Sequence, residues 1–82
     1  MMQLICRIEP ADYDAWKAEF DAEAENIAAA GLSLLQFWRS ADRPGTALML
    51  FEVRDRKRAQ AWLDKQAGFG RGLAPEFVET AF

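Results

Sequence analysis

Hydrophobic and polar positions alternate along residues 2–8, MQLICRI, and this period of two predicts a first β-strand that Pro10 ends. Residues 32–40, LSLLQFWRS, predict a second strand. The segment 46–53, TALMLFEV, is apolar on both sides, which indicates a central strand. Residues 76–82, EFVETAF, predict a fourth strand, but both of its sides mix polar and apolar residues, so its facing stays open.

Two further segments have the period of an amphipathic helix. In residues 11–30 the apolar positions form one stripe with spacings of 3, 4, 4 and 3, extended by one alanine: Tyr13, Trp16, Phe20, Ala24, Ile27 and Ala28. Asp12 or Asp14 can cap the start of this helix, and Gly31 suits the position after its end. Residues 55–68 predict a second helix.

The order of these elements predicts one domain over residues 1–82. Pro44 and Gly45 suit a type II turn, so the second and third strands are predicted to form a hairpin. The order βαββαβ with right-handed crossovers predicts a ferredoxin-like α+β fold, with a four-stranded antiparallel sheet of order 4-1-3-2 and both helices on one side. The segment 68–75, GFGRGLAP, is expected to be a loop, not a dinucleotide-binding turn or an RNA-binding strand.

The other side of this sheet has no helix to cover it. Val53 runs directly into the second helix and Ile8 into the first, so both are predicted to point toward the helices. Because successive side chains of a strand point to opposite sides, nine residues are then predicted to point to the uncovered side: Gln3, Ile5, Arg7, Leu34, Gln36, Trp38, Leu48, Leu50 and Glu52. An apolar wall with a few polar groups is typical of a small-molecule pocket and of a dimer interface, and in a face-to-face dimer it is both.

Individual side chains in these strands carry further expectations. Leu35 and Phe37 are predicted to face the helices, as is Cys6, which is expected to be a buried, inert thiol. Arg7 and Glu52 are expected to form an ion pair. Arg39, at the end of a strand, is expected to reach solvent or to pair with Asp42.

Charge and composition exclude several classes of function. The formal net charge is −3, whereas a nucleic-acid-binding protein normally has a basic surplus, so no nucleic-acid partner is expected. The chain has no histidine and one cysteine, and its carboxylates lack metal-loop spacing, so neither a metal nor another cofactor is expected. No apolar run has the length of a membrane span, and the start is not a signal peptide, which predicts a cytoplasmic protein without a membrane partner.

Three segments carry a resemblance to a known superfamily: DYDAW in the first helix, the strand that ends in WRSADRPG, and LFEVRDRKRAQAW entering the second helix. Over nearly its whole length the chain resembles the dimeric α+β barrels related to antibiotic biosynthesis monooxygenases. The resemblance implies a homodimer in which two sheets pack face to face, with a pocket for a small hydrophobic or aromatic ligand.

The resemblance also implies a function, namely cofactor-free oxidation or isomerisation of a small aromatic or polyketide-like molecule in the barrel pocket. The haem-degrading branch needs a histidine, which this chain lacks. The oxygenase branch offers Trp, Asn and Arg to its substrate, and the possible counterparts here are Trp16 or Trp38, Asn26, and Arg7 or Arg39. The candidate catalytic residues are Trp38, Glu52 and Arg7. The alternative is a non-catalytic small-molecule-binding or dimerisation module.

Overall fold

A computed structural model describes residues 1–68 and 73–81. Its elements are β1 (Met2–Ile8), α1 (Tyr13–Ala22), α2 (Ala24–Ala29), β2 (Leu32–Arg39), β3 (Ala47–Val53), α3 (Arg56–Gly68) and β4 (Glu76–Glu79). The strands form one antiparallel sheet of order β2-β3-β1-β4, which is the predicted order read from the other edge. The fold is therefore α+β, with a sheet compatible with a ferredoxin-like arrangement. Residues 69–72 of the predicted loop and residue 82 of the predicted fourth strand lie outside the described residues.

The single helix predicted over residues 11–30 is wrong, because two helices occupy this segment. α1 ends and α2 begins around Glu23, whose φ of −86° and ψ of 3° depart from helical values. The interruption changes which positions face the core: Ile27 and Ala30 are buried, whereas Ala24 and Ala28 are exposed. The predicted stripe is therefore confirmed for Tyr13, Trp16, Phe20 and Ile27 and is wrong for Ala24 and Ala28.

The ends of the helices are fixed by local side-chain and backbone contacts. The amide of Ala15 donates to Oδ1 of Asp12 at 3.1 Å, so Asp12 is the cap of α1. Gly31 follows α2 with a φ of +74°, which favours glycine. A Cβ at Gly31 would lie 2.9 Å from Cβ of Asp55, a residue that also caps α3 by accepting from the amide of Arg58. Glycine is required at position 31 because its φ is positive and because Asp55 leaves no space for a Cβ.

Alternate residues of the two central strands form the core beneath the helices. Each is at most 9% exposed: Leu4, Cys6, Ile8, Ala47, Met49, Phe51 and Val53. This burial agrees with the predicted facing of β1 and β3. From the helix layer, Trp16 stacks on Phe20 with ring centroids 5.3 Å apart, and Trp62 contacts Phe51 edge-on at 6.4 Å. We call this side of the sheet the covered face.

The second and third strands form the predicted hairpin, but its turn is not of type II. The amide of Thr46 donates to the carbonyl of Arg43 at 2.8 Å, which closes the turn. A type II turn needs a positive φ at Gly45, and Gly31 is the glycine with positive φ among the described residues. Pro44 therefore occupies a turn in which Gly45 does not adopt the positive φ that glycine allows.

Strand β2 contains a bulge that changes its facing. Leu34 pairs with Phe51 and Gln36 pairs with Leu50, so Leu35 is the additional residue between them. Leu35 is 45% exposed, and the prediction that it faces the helices is wrong. Phe37, beyond the bulge, packs against the core as predicted. Because β2 lies at the edge of the sheet, the bulge also makes its outer edge a poorer template for another strand.

Candidate functional site

The side of the sheet opposite the helices carries the candidate site, and we call it the open face. Its residues lie in three cross-strand rows, which follow from the strand register. The first row is Trp38, Leu48 and Arg7; the second is Gln36, Leu50, Ile5 and Glu76; the third is Ser33, Glu52, Gln3 and Val78. Strand pairing brings all of these residues together although they come from four separate segments.

Every residue predicted to line the pocket belongs to the open face except Leu34. The bulge places Leu34 opposite Phe51, a residue of the covered face, while its side chain stays 44% exposed at the sheet edge. Register therefore separates Leu34 from Gln36 and Trp38, which follow it on the same strand. The cause is the additional residue in β2, because one inserted residue exchanges the two sides of a strand.

Three residues of the open face were missed by the sequence reasoning: Ser33, Glu76 and Val78. The pairing of β4 with β1 places Val78 beside Gln3 and Glu76 beside Ile5. Alternation within EFVETAF gives no signal for this facing, because each side carries both a carboxylate and an apolar residue. The facing of Ser33 had no sequence signal either, because it depends on the bulge that follows it in β2.

The centre of the open face is apolar. Trp38 and Leu48 are neighbours in the first row, and Leu50 and Ile5 are neighbours in the second. Trp38 is 46% exposed and Ile5 39% exposed, while both leucines are half-buried. A contiguous apolar patch with a polar rim is the signature of an interaction or ligand-binding surface. In the single chain this patch is in contact with solvent.

The expected ion pair between Arg7 and Glu52 is not formed. Arg7 lies opposite Leu48 and Glu52 lies opposite Gln3, which places the two charges four residues apart along β1, or about 13 Å. Arg7 instead donates to Oε1 of Glu9 at 3.0 Å. This hydrogen bond, with the charge of Arg7, lowers the pKa of the Glu9 carboxyl below its ordinary value, and Arg43 at 3.4 Å adds a smaller effect.

The remaining counterparts implied by the resemblance are dispersed over the molecule. Trp16 is buried in the helix layer, and Asn26 lies on α2, where it donates to Glu23 at 2.6 Å. The guanidinium of Arg39 lies 4.1 Å from the ring centroid of Tyr13 and donates to the carbonyl of Pro44, so it does not pair with Asp42. Of the oxygenase-like set, Trp38 and Arg7 are the pair that shares the open face.

The chemistry of the covered face is limited by burial. Cys6 is fully buried, and burial raises the pKa of its thiol to about 12, so its reactive thiolate is strongly disfavoured, as predicted for an inert thiol. Within residues 1–68 and 73–81, no group of three or more Cys, Asp or Glu side chains could hold a metal ion. In the same part of the chain, no helix combines the length and apolar character needed to cross a membrane.

A hollow lies at the C-terminal end of β1, where Arg7 ends the first row of the open face. This hollow is lined by Arg7, Ile8, Glu9 and Ala74 and has a volume of about 480 Å³. The amide of Arg7 donates to the carbonyl of Leu73 at 2.8 Å, which brings Ala74 beside this end of β1. A second cavity, a groove of about 410 Å³, lies between α2 and α3, away from the open face.

Comparison with known proteins adds no family assignment. No protein-family model matches the chain, and no curated protein matches it significantly in sequence. The α+β fold and the four-stranded sheet therefore stand on the structure, and the more specific superfamily remains a prediction from the residues quoted above.

Proposed function

We propose that this protein works as a homodimer, formed by packing the open faces of two copies together, and that the dimer binds a small hydrophobic or aromatic molecule between the sheets. The observation that carries the proposal is the uncovered apolar patch of Trp38, Leu48, Leu50 and Ile5. A sheet that is buried on one side needs a second layer to cover its other side. Two sheets that pack face to face lie about 10 Å apart.

A second copy of the chain is the occupant that suits the pattern of the rows. A two-fold axis parallel to the strands, between β3 and β1, places each row over the same row of the other copy. Leu50 then faces the partner's Ile5, and Gln36 faces the partner's Glu76. In this second row apolar residues meet apolar residues, and an amide meets a carboxylate that it can hydrogen-bond. In the first row Leu48 meets the partner's Arg7.

The same rotation indicates where a ligand fits. Trp38 has no counterpart above it in the first row, because β4 begins at Glu76. It therefore comes to lie over the hollow of the partner, beside the partner's Arg7. An aromatic surface on one side and a guanidinium on the other suit a flat molecule with a polar edge. Each dimer has two such positions.

Catalysis by this dimer, cofactor-free oxidation or isomerisation of the bound molecule, is a second candidate. The observation that favours it is the carboxylate of Glu52, which is half-buried beside Gln3 on the open face and forms no ion pair with Arg7. A carboxylate enclosed between two sheets can accept a proton from a substrate that the surrounding side chains orient.

The dimer is tested by sedimentation equilibrium at micromolar chain concentration. The wild-type protein is expected to be dimeric, and Leu50→Lys is expected to be monomeric, because it places two ammonium groups in an apolar interface. Ala18→Lys is the matched control: it adds the same charge at an exposed position of α1 and should leave the dimer intact. A monomeric wild-type protein, or equal dissociation by both variants, overturns the proposal.

The ligand is tested by native mass spectrometry of protein purified from its source. We expect a bound small molecule in the wild-type dimer that is lost from a Trp38→Ala dimer. A Trp38→Ala variant that becomes monomeric would assign Trp38 to packing and refute its role in the pocket. For the catalytic candidate, the recovered molecule is incubated in air with the wild-type protein and with Glu52→Gln. Turnover is expected to fall about 100-fold in that variant, and equal turnover rules out Glu52 as the base.

A further inference from the structure

The groove between α2 and α3 is a second concave site, and it is independent of the open face. It lies on the covered side of the sheet and has a volume of about 410 Å³. Three small side chains, Ala29, Ala30 and Ala61, form part of its lining, so the two helices leave space between them. This volume falls within the range of ordinary small-molecule sites.

Two polar side chains in the wall of the groove are more than nine-tenths buried. Trp62 is 7% exposed and Gln66, one turn later on α3, is 6% exposed. The indole N–H of Trp62 has no hydrogen-bond partner among the described residues. A buried donor without an acceptor is energetically costly, and such groups are rare in folded proteins.

The rim of the groove carries two cations on the same side of α3. Arg58 and Lys65 are seven residues apart, which is close to two helical turns and about 10 Å along the axis, and Trp62 lies between them. Within the described part of the chain, Arg58 pairs with Asp55 at 3.5 Å, whereas Lys65 makes no ion pair.

The opposite rim adds one negative charge. It carries Glu23, which accepts a hydrogen bond from Asn26 at 2.6 Å. Among the side chains that line the groove, two are therefore cationic and one is anionic, and Lys65 is the cation without an ion pair in the described part of the chain.

We propose that the groove between α2 and α3 binds a small organic carboxylate. The apolar body of this ligand lies against Ala29 and Ala61, and its carboxylate lies over Trp62, between Arg58 and Lys65. There the carboxylate accepts a charge-assisted hydrogen bond from Lys65. This site goes beyond the proposed dimer and does not depend on it, since the groove faces away from the open face.

The test follows the indole N–H resonances of ¹⁵N-labelled protein by NMR, with the signal of Trp62 assigned through Trp62→Phe. Phenylacetate and hexanoate are the probes, and phenylacetamide is the neutral control. Each carboxylate is expected to shift the Trp62 signal saturably at millimolar concentration or below, while phenylacetamide at equal concentration leaves it unchanged. If neither carboxylate shifts this signal, or if the amide shifts it equally, the proposal is wrong.

Matched charge variants separate a specific site from general attraction. Lys65→Gln is expected to weaken phenylacetate binding about tenfold, the usual effect of losing one charge-assisted hydrogen bond. Lys57→Gln removes the same charge from an exposed position of α3 outside the groove and should leave binding unchanged. Equal weakening by both variants would overturn the site. Leu50→Lys should bind phenylacetate normally, so failure of the dimer and failure of this site give different results.

Discussion

The covered face and the open face are two sides of one sheet, made by neighbouring residues of the same strands. On β3, Met49 and Phe51 are completely buried, whereas Leu48 and Leu50 are only half-buried. The side chains on both sides are large and apolar, so residue type does not distinguish them. The difference is the helix layer, which excludes water from one side and leaves the other available. We therefore expect the covered face to determine stability and the open face to determine association.

The sharpest test of this comparison replaces adjacent residues of β3. Phe51→Ala is expected to lower the free energy of unfolding by about 3–5 kcal/mol, because it removes a fully buried ring and leaves a cavity. Leu50→Ala is expected to lower the free energy of unfolding of the single chain by about 1 kcal/mol, because truncating a half-buried side chain removes less buried apolar area than truncating a fully buried one. Urea unfolding followed by circular dichroism measures both.

Protein concentration separates the two contributions in the same experiment. The loss from Phe51→Ala should be equal at all chain concentrations, whereas the loss from Leu50→Ala should increase at concentrations that support the dimer. Equal, concentration-independent losses at the two positions would show that the faces do not differ as described.

Cys6 extends the comparison to alkaline pH, because its thiol is enclosed by the covered face. Burial raises its pKa from an ordinary 9.0 to about 12. Above pH 9 the unfolded chain loses the thiol proton and the folded chain keeps it, so this contribution to stability decreases as the pH rises toward 12. The expected slope is about 1.4 kcal/mol per pH unit. Unfolding of the wild-type protein and of Cys6→Ala between pH 8 and 11 measures it, and parallel curves would contradict burial of the thiol.

Gly31 tests how the helix layer is connected to the sheet. Gly31→Ala is expected to lower the free energy of unfolding by about 1–3 kcal/mol, because φ is +74° and the new Cβ would meet Asp55 at 2.9 Å. Gly45→Ala is the control, since a Cβ there would meet no atom of the described residues within 4 Å beyond its chain neighbours, and its φ is not positive. It should keep or raise the free energy of unfolding, by up to about 1 kcal/mol. Similar losses in both variants would contradict the tight corner at Gly31.

The smallest effect is expected on the outer surface of the helix layer. Lys17 and Asp21 form an i,i+4 ion pair at 2.6 Å with the carboxylate mostly exposed. Asp21→Asn is expected to cost at most about 0.5 kcal/mol, because solvent screens the pair. Thermal unfolding at low and at 1 M salt checks this, and the small difference should disappear at high salt. A loss above 1 kcal/mol would place this pair among the structural contacts of the covered face.

The strands and the start and end of the first helical segment were accessible from local patterns in the sequence, and the sheet order followed from the order of the elements and the right-handed crossover rule. Period-two alternation is a direct consequence of strand geometry, so the burial of Cys6 and Met49 followed from spacing alone. Helix caps are equally local. Asp12 accepts a hydrogen bond from an amide three residues away, and the positive φ at position 31 favours glycine there. These features depend on neighbours within a few residues.

Several features were decided only by tertiary structure. The bulge that separates Leu34 from Gln36 depends on how β2 registers with β3, and the facing of Val78 depends on its pairing with Gln3. The break at Glu23 lies among good helix formers, and no residue there signals it. The partner of Arg7 and the groove beside Trp62 depend on which elements meet in space. The sequence alone determined the strands, the outer ends of the helical segments and the facing of the central strands, because those follow from local geometry and from how the elements connect. The edge strands and the groove required long-range register and packing, which one residue's neighbours in sequence do not encode.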